Sequence, residues 1–397
     1  MRNGGNDCKY TRIRDNLNQY LIGNRGIETQ QNDQVIMFID GEYWGIYSIY
    51  EDYDEHYIEN NYGIDNKNVI MVKKDKVEAG VDSDLTYFNE TIDFLNAMDM
   101  SEPKNMEEAS KKFDIEGFAW VTAFHLYANV QDSILKGSNW AMWRVREPDN
   151  SVSPVADGKW RVLLFDTEYS LGMYSGGTNY DQNLLDGVFN PEASLYSRFG
   201  SKILKSLLKN PEFKNLFINA LSDVRNIDFE TKRVNSVIDK MAKRLYPVIN
   251  EFFERFPAYN LYEENPEQYY RNEISLLKEW LQKRNEIFLN LVSRTFDFQP
   301  PVNVTISSND FRKGSFIVNG GWKVFEKKYS GEYFRENILY LTAKPSSSAR
   351  KLHYWKLKNC KFADKKYANL SNSNNKSTSK TIGIYPDENC RVTAYFK

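Results

Sequence analysis

Cysteine and histidine are both scarce in this chain of 397 residues, which has three of each. Three cysteines exclude a disulfide framework. The histidines, His56, His125 and His353, show neither the HxxxH nor the HExxH spacing of a zinc hydrolase. No Gly-x-Ser-x-Gly elbow is present, which removes the ordinary α/β-hydrolase route. No apolar run is long enough to span a membrane. Polar residues Arg2 to Asp7 follow Met1 directly, so no signal-peptide core is legible there. Neither charge dominates: 52 Lys and Arg face 54 Asp and Glu, a net charge of −2. A nucleic-acid partner would need a basic excess that this balance lacks.

The composition itself is globular, 41% hydrophobic and 27% charged, and the length suits two or three domains. Aromatics reach 15%, with 26 Tyr and 24 Phe, as expected of half-buried β surface. Ile13, Leu17, Tyr20 and Leu21 recur at helical spacing from about Thr11. A helix that begins so near Met1 reads as the continuation of something upstream, so the chain is expected to be a fragment or to carry a misplaced start. Residues 34 to 50 read as a β-hairpin turning at Asp40-Gly41. Val69 to Val72 is a short buried strand ending at Lys73-Lys74. Helices are predicted over about 84–100 and, as one longer element, over Met106–Val130.

The polar loop Asp132–Asn139 leads into the strand Trp140–Val145, and a second strand, Trp160–Phe165, ends on Asp166-Thr167-Glu168. Residues from Ser201 to about Phe296 carry leucines at helical spacing. Gln299-Pro300-Pro301 is a linker signal, since proline cannot continue a helix. Beyond it come short strands at Val302–Ile306, Ser315–Val318, Ile338–Ala343 and Cys390–Phe396, with a loop over Asn369–Lys380. No internal repeat is visible.

Asp132, Asn139, Asp166 and Glu168 are the residues best placed for chemistry. Phosphoryl transfer asks for a carboxylate to orient the attacking hydroxyl and for oxygen ligands to hold a cation against the phosphates. Loop acid, asparagine, hairpin and capping acid come here in the order such a site needs. On spacing alone, a hairpin whose Asp merely caps the next turn is the better reading. Ser175-Gly-Gly-Thr178 lacks the Gly-x-Gly-x-x-Gly spacing and the lysine of a phosphate cradle, so it reads as a loop. Arg12 and Arg14 read as solvated charge, with pairing to an acid as the alternative.

Arg2-Asn-Gly-Gly-Asn-Asp7, Thr11–Asp15, Asp40–Tyr47 with Glu51, and Phe165–Gly172 resemble, in order, segments of the CotH family of atypical, secreted or spore-coat protein kinases. The resemblance covers roughly residues 1–295. It implies an α+β fold: a divergent protein-kinase-like domain over 1–298, with an N-lobe remnant over about 1–75 and a helical C-lobe over about 84–298. It also implies transfer of phosphate from ATP, with Mg2+, to serine on a coat or surface protein. Asp132 matches the catalytic-loop acid, Asn139 the asparagine that follows and Asp166 the magnesium-binding acid. Lys73 and Glu51 are the candidates for nucleotide contact. Family members carry strands before the Arg-Asn-Gly-Gly segment, so the N-terminal lobe is expected to be incomplete and catalytic competence stays open.

Residues 299–397 read as a separate, small all-β, sandwich-like domain similar to bacterial surface modules. Trp322, Tyr354 and Trp355 there either present a glycan-binding face or fill the core. Cys360 and Cys390 are free to pair if the protein is exported, and the family resemblance implies an extracellular or cell-surface location. Two alternatives remain at this stage: a catalytically weak or inactive kinase-fold assembly protein of the surface or spore coat, and a glycan-binding surface protein.

Overall fold

The structure, a computed structural model, describes residues 1–259, 265–365 and 375–397. The chain divides into two compact units, residues 1–214 with 227–287 and residues 215–226 with 288–397.

The first unit opens with α1 (Arg14–Ile22), then β1 (Asn32–Ile39) and β2 (Glu42–Tyr50). β1 and β2 form the expected hairpin, pairing Ile39 with Glu42. Its turn residues Asp40 and Gly41 lie at φ 51 and 84, the left-handed geometry that Asp-Gly adopts most readily. α2 (Glu55–Tyr62) follows, capped by Asp54, whose carboxylate accepts from the Tyr57 N–H at 2.8 Å. Next come β3 (Val69–Lys73), β4 (Lys76–Ala79), α3 (Asp84–Ala97), α4 (Pro103–Lys112), α5 (Ile115–Tyr127), β5 (Ala141–Val145) and β6 (Arg161–Leu163). The strands form one antiparallel sheet in the order β4-β3-β5-β6.

β3 is buried on both faces from Val69 to Val72, which explains why it reads as an unbroken apolar run. Tyr57, Ile58 and Ile64 cluster with Met71, Trp143 and Leu163. Phe88 of α3 stacks on Trp140 and meets Trp160 edge-on, with centroids 5.5 and 5.3 Å apart.

The single helix predicted over Met106–Val130 is two. Asp114 breaks it, accepting from the Gly117 N–H at 3.1 Å to cap α5. The exchange Asp114 N–H to Trp160 O and Trp160 N–H to Lys112 O, both 2.9 Å, ties the break to the strand segment. The helices α6 (Leu184–Phe189), α7 (Phe199–Leu207), α8 (Pro211–Asp223), α9 (Thr231–Leu245), α10 (Ile249–Arg255) and α11 (Pro266–Phe296) complete the helical part.

The second unit is rich in strands: β7 (Val302–Ser308), β8 (Gly314–Val318), β9 (Val324–Phe325), β10 (Lys328–Tyr333), β11 (Leu339–Pro345), β12 (Leu352–Phe362), β13 (Lys376–Ser377) and β14 (Thr381–Phe396). They form one branched sheet in the order β10-β7-β14-β11-β8-β9, with β12 joining β14 and β13 joining β12. Residues 215–226 belong with it. Asn219 Nδ2 donates to the Ile338 carbonyl at 2.8 Å, and the Tyr333 hydroxyl donates to buried Asp223 at 2.8 Å. Of the three aromatics weighed for a glycan face, Trp355 is fully buried in this core, its indole N–H bonded to the Ser379 carbonyl at 3.1 Å. Cys360 and Cys390 are bonded, with Cα atoms 5.4 Å apart. The loop expected over Asn369–Lys380 lies outside the described residues as far as Asn374; beyond it Lys376-Ser377 pairs with β12.

Candidate active site

Two loops of the first unit meet at the end of the central hairpin. One leaves α5 and carries Asp132 and Asn139; the other leaves β6 and carries Asp166 and Glu168. Leu171 N–H bonds the Ala128 carbonyl and Gln131 N–H bonds the Tyr169 carbonyl, each at 2.9 Å, so the loops are zipped just before Asp132 and just after Glu168. Asn139 completes the join: its side-chain N–H donates to the Asp166 carbonyl at 3.3 Å. Asn139 and Asp166 both hold left-handed backbone, φ 23 and 56. Non-glycine residues pay for that conformation, and it concentrates at functional positions.

α1 holds the second loop from behind. Asp15 accepts from the Thr167 N–H and hydroxyl at 2.8 and 2.7 Å, Asn18 donates to the Thr167 carbonyl at 3.1 Å, and Gln19 donates to the Leu164 carbonyl at 3.0 Å. All three side chains are buried, so α1 turns a polar face inward. Arg12 and Arg14 are buried as well, contrary to their reading as solvated charge. Arg14 pairs with Asp7, and Arg12 donates to the Cys8 and Asn3 carbonyls at 2.6 and 2.8 Å. Their task is to fold the Asn3–Ile13 segment, which a short charged stretch does not announce. The lone thiol, Cys8, is buried there, and burial pushes its pKa up.

On the other loop, the α5 end is fixed by Arg284. Its guanidinium donates to the Leu126, Tyr127, Tyr180 and Gln182 carbonyls at 2.6 to 2.9 Å. A cation satisfying the last carbonyls of a helix is favourable on both hydrogen-bonding and dipole grounds.

The acids are electrostatically distinct. Burial, and then the charge of Asp166, push the Asp132 carboxyl up to about 6, while Asn139 and Lys136 favour its ionised form. Its Oδ1 is buried without a hydrogen-bond partner. Burial opposes ionisation of Asp166 too, but its hydrogen bond with Glu168 and the Arg2 guanidinium outweigh that and hold it below the carboxylate range. Glu168 is driven the other way by burial and by its bond to Asp166, so the pair keeps a proton on Glu168.

Arg2 is the part of this site that sequence reasoning missed. Its Nη2 lies 2.7 Å from Asp166 Oδ1 and 3.1 Å from Glu168 Oε2. Its main chain exchanges two 2.8 Å bonds with Ser48 of β2. Gly5 lets this segment wrap the acid: a Cβ there would stand 1.8 Å from Glu168 Oε1. The signal was the Arg2–Asp7 segment itself, whose partner is not readable from its own spacing.

The nucleotide candidates are placed differently. Lys73 lies over the Phe165 ring, 5.2 Å from its centroid, beside the acid-bearing loop. Lys74, its neighbour in the β3–β4 turn, helps hold Asp166 ionised. Glu51 accepts from the Gln31 N–H at 2.7 Å and from Asn61 at 3.1 Å, bracing the hairpin. The Ser175–Thr178 segment is a turn closed by Ser175 and Thr178 on neighbouring carbonyls.

Among the described residues no three His, Cys, Asp or Glu side chains form a ready-made metal cluster. The donor set nonetheless fits a hard divalent cation. The buried Asp132 oxygen lacks a partner, Asp166 is ionised, and Asn139 spends its N–H on a carbonyl, leaving its amide oxygen. Magnesium takes only one or two protein oxygens when phosphates and water supply the rest.

The family described as CotH kinase protein matches residues 1–288. No curated protein matches the chain. No helix among the described residues is long and apolar enough to cross a membrane.

Proposed function

Because the chain belongs to the CotH kinase protein family, we propose that it is an atypical protein kinase transferring the γ-phosphoryl group of ATP to a serine hydroxyl of a surface or coat protein. The bond from serine oxygen to Pγ forms as the bridging Pγ–O bond breaks, ADP leaves, and the hydroxyl proton passes to Asp132. Asp132 is a candidate for orienting that hydroxyl because its pKa sits near neutral pH, where a carboxylate both exists and accepts a proton readily. Asp166 and the Asn139 amide oxygen would hold Mg2+, which neutralises charge on the β- and γ-phosphates. Lys73, beside Phe165, and Lys74, whose charge helps keep Asp166 ionised, would meet a nucleotide phosphate, and Glu51 would contact the nucleotide.

What carries the reading is the convergence of Asp132, Asn139 and Asp166, joined by the Asn139 bond to the Asp166 carbonyl. A Cys360–Cys390 bond suits an oxidising compartment and hence a surface location. The test is labelling with radioactive ATP and Mg2+, using casein and the chain itself as acceptors. Asp166→Ala should lower incorporation by about 10²-fold or more. Equal labelling by both proteins would remove the assigned role.

A further inference from the structure

The Asp166–Glu168 pair already holds a positive charge. One nitrogen, Arg2 Nη2, touches three carboxylate oxygens: Asp166 Oδ1 at 2.7 Å, and Glu168 Oε1 and Oε2 at 3.2 and 3.1 Å. Arg2 Nη1 faces Asp15 Oδ2 at 3.8 Å, an oxygen with no hydrogen-bond partner. Several carboxylate oxygens converging on one cationic point is the arrangement a metal ion makes, at longer distance. The Arg2 main chain is fixed independently of that contact, by the two bonds to Ser48, and Asn6 N–H also donates to Glu168 Oε1 at 3.2 Å. The side chain is not equally fixed. It is 34% exposed and Asp166 32%, whereas Asp15 and Glu168 are each 5% exposed, so Arg2 can swing into solvent while the two buried acids stay.

We propose that Arg2 is a displaceable internal counter-ion, neutralising the Asp166–Glu168 pair before a divalent cation is bound and competing with that cation for the same oxygens. The inference rests on the reading of Asp166 as a metal ligand. Loading the cation then means exchanging one guanidinium for one metal ion at Asp166. The opposite possibility, a guanidinium that stays in place and orients the acids for metal, predicts the reverse effect of its removal.

The experiment titrates the full chain with Mn2+ alone, without nucleotide, following free Mn2+ by electron paramagnetic resonance. Arg2→Gln should bind about five- to tenfold more tightly than wild type, since the lost competitor is a partly exposed ion pair. Equal or weaker binding by Arg2→Gln, with Asp166→Asn binding poorly, would overturn the inference and leave the metal reading standing. Binding by none of the three, or binding that Asp166→Asn leaves intact, would remove the metal reading itself. If Arg2→Gln does not fold, wild type decides alone. The Arg2 side-chain N–H resonance, identified by its absence in Arg2→Lys, should move when Mg2+ is added; a resonance that stays put while Mg2+ binds elsewhere on the chain would overturn the inference.

Discussion

Asn139 reaches Asp166 through the main chain: its side-chain N–H donates to the Asp166 carbonyl at 3.3 Å and leaves the carboxylate to Arg2 and Glu168. One asparagine thereby fixes where the acid stands without consuming the oxygens it offers. The neighbouring loop acid, Asp132, feels Asp166 as a like charge and is harder to ionise for it.

That placement makes Asp132 a cost to stability at neutral pH. Its folded pKa of about 6 lies above the value near 3.9 expected of an unfolded Asp, so the folded state binds more protons between the two and gains stability as pH falls through that window. Asp132→Asn should therefore raise stability at pH 7, by about 1 kcal/mol once solvent screening of a loop residue is allowed for, while abolishing transfer. Thermal unfolding at pH 7 and pH 4 checks this. The gain should be present at the first and much smaller at the second.

The loop and hairpin that carry Asp132, Asn139 and Asp166 were legible because order along the chain carried them: helix, loop, strand, strand. The β1–β2 turn was legible because Asp40-Gly41 has few other uses. Arg2 was not, since its partner lies 164 residues away and no periodicity links the two. Arg12 and Arg14 were misread because charge on a short helix is usually solvated, and only the folded chain shows the carbonyls and the carboxylate they serve. The break before α5 was present in the sequence as Asp114, but the apolar period runs through Phe113 and hides it.

Gly5 ties the first segment to the acids. An alanine there must adopt φ 52 and place its methyl against Glu168 Oε1, displacing the carboxyl from Arg2. Gly5→Ala should cost roughly 1–3 kcal/mol, from left-handed backbone and overpacking together. Chemical denaturation reads the stability; phosphoryl transfer should fall further than a stability loss of that size explains.

His125 gives the acid side of the stability curve. It is wholly buried in α5, its Nδ1 has no partner, and burial pushes its pKa down to about 3. The unfolded chain takes up a proton near pH 6.5 that the folded chain refuses, so stability falls as pH drops below that value. By pH 5 the loss should be about 2 kcal/mol from this residue alone. His125→Leu should flatten the denaturation midpoint between pH 7 and pH 5; an unchanged slope would assign the acid limb to other groups.

Arg284 links the helical core to the Asp132 loop. Its guanidinium serves four carbonyls, two at the end of α5 and two in the segment over 180–182. Replacing it with methionine keeps most of the apolar stem but leaves those carbonyls buried and unmatched. Each buried unsatisfied group costs about 1–3 kcal/mol, partly recovered by water or by a shift of the loop. Arg284→Met should therefore destabilise the first unit by about 3 kcal/mol or more. The loop shift is the informative part, because Asp132 follows Tyr127 by five residues and Asp166 is zipped to the same stretch. At a temperature where the variant remains folded, transfer should fall while ATP protection against thermal unfolding is kept. Loss of both together would mean that Arg284 supports the whole unit and not the orientation of Asp132 in particular.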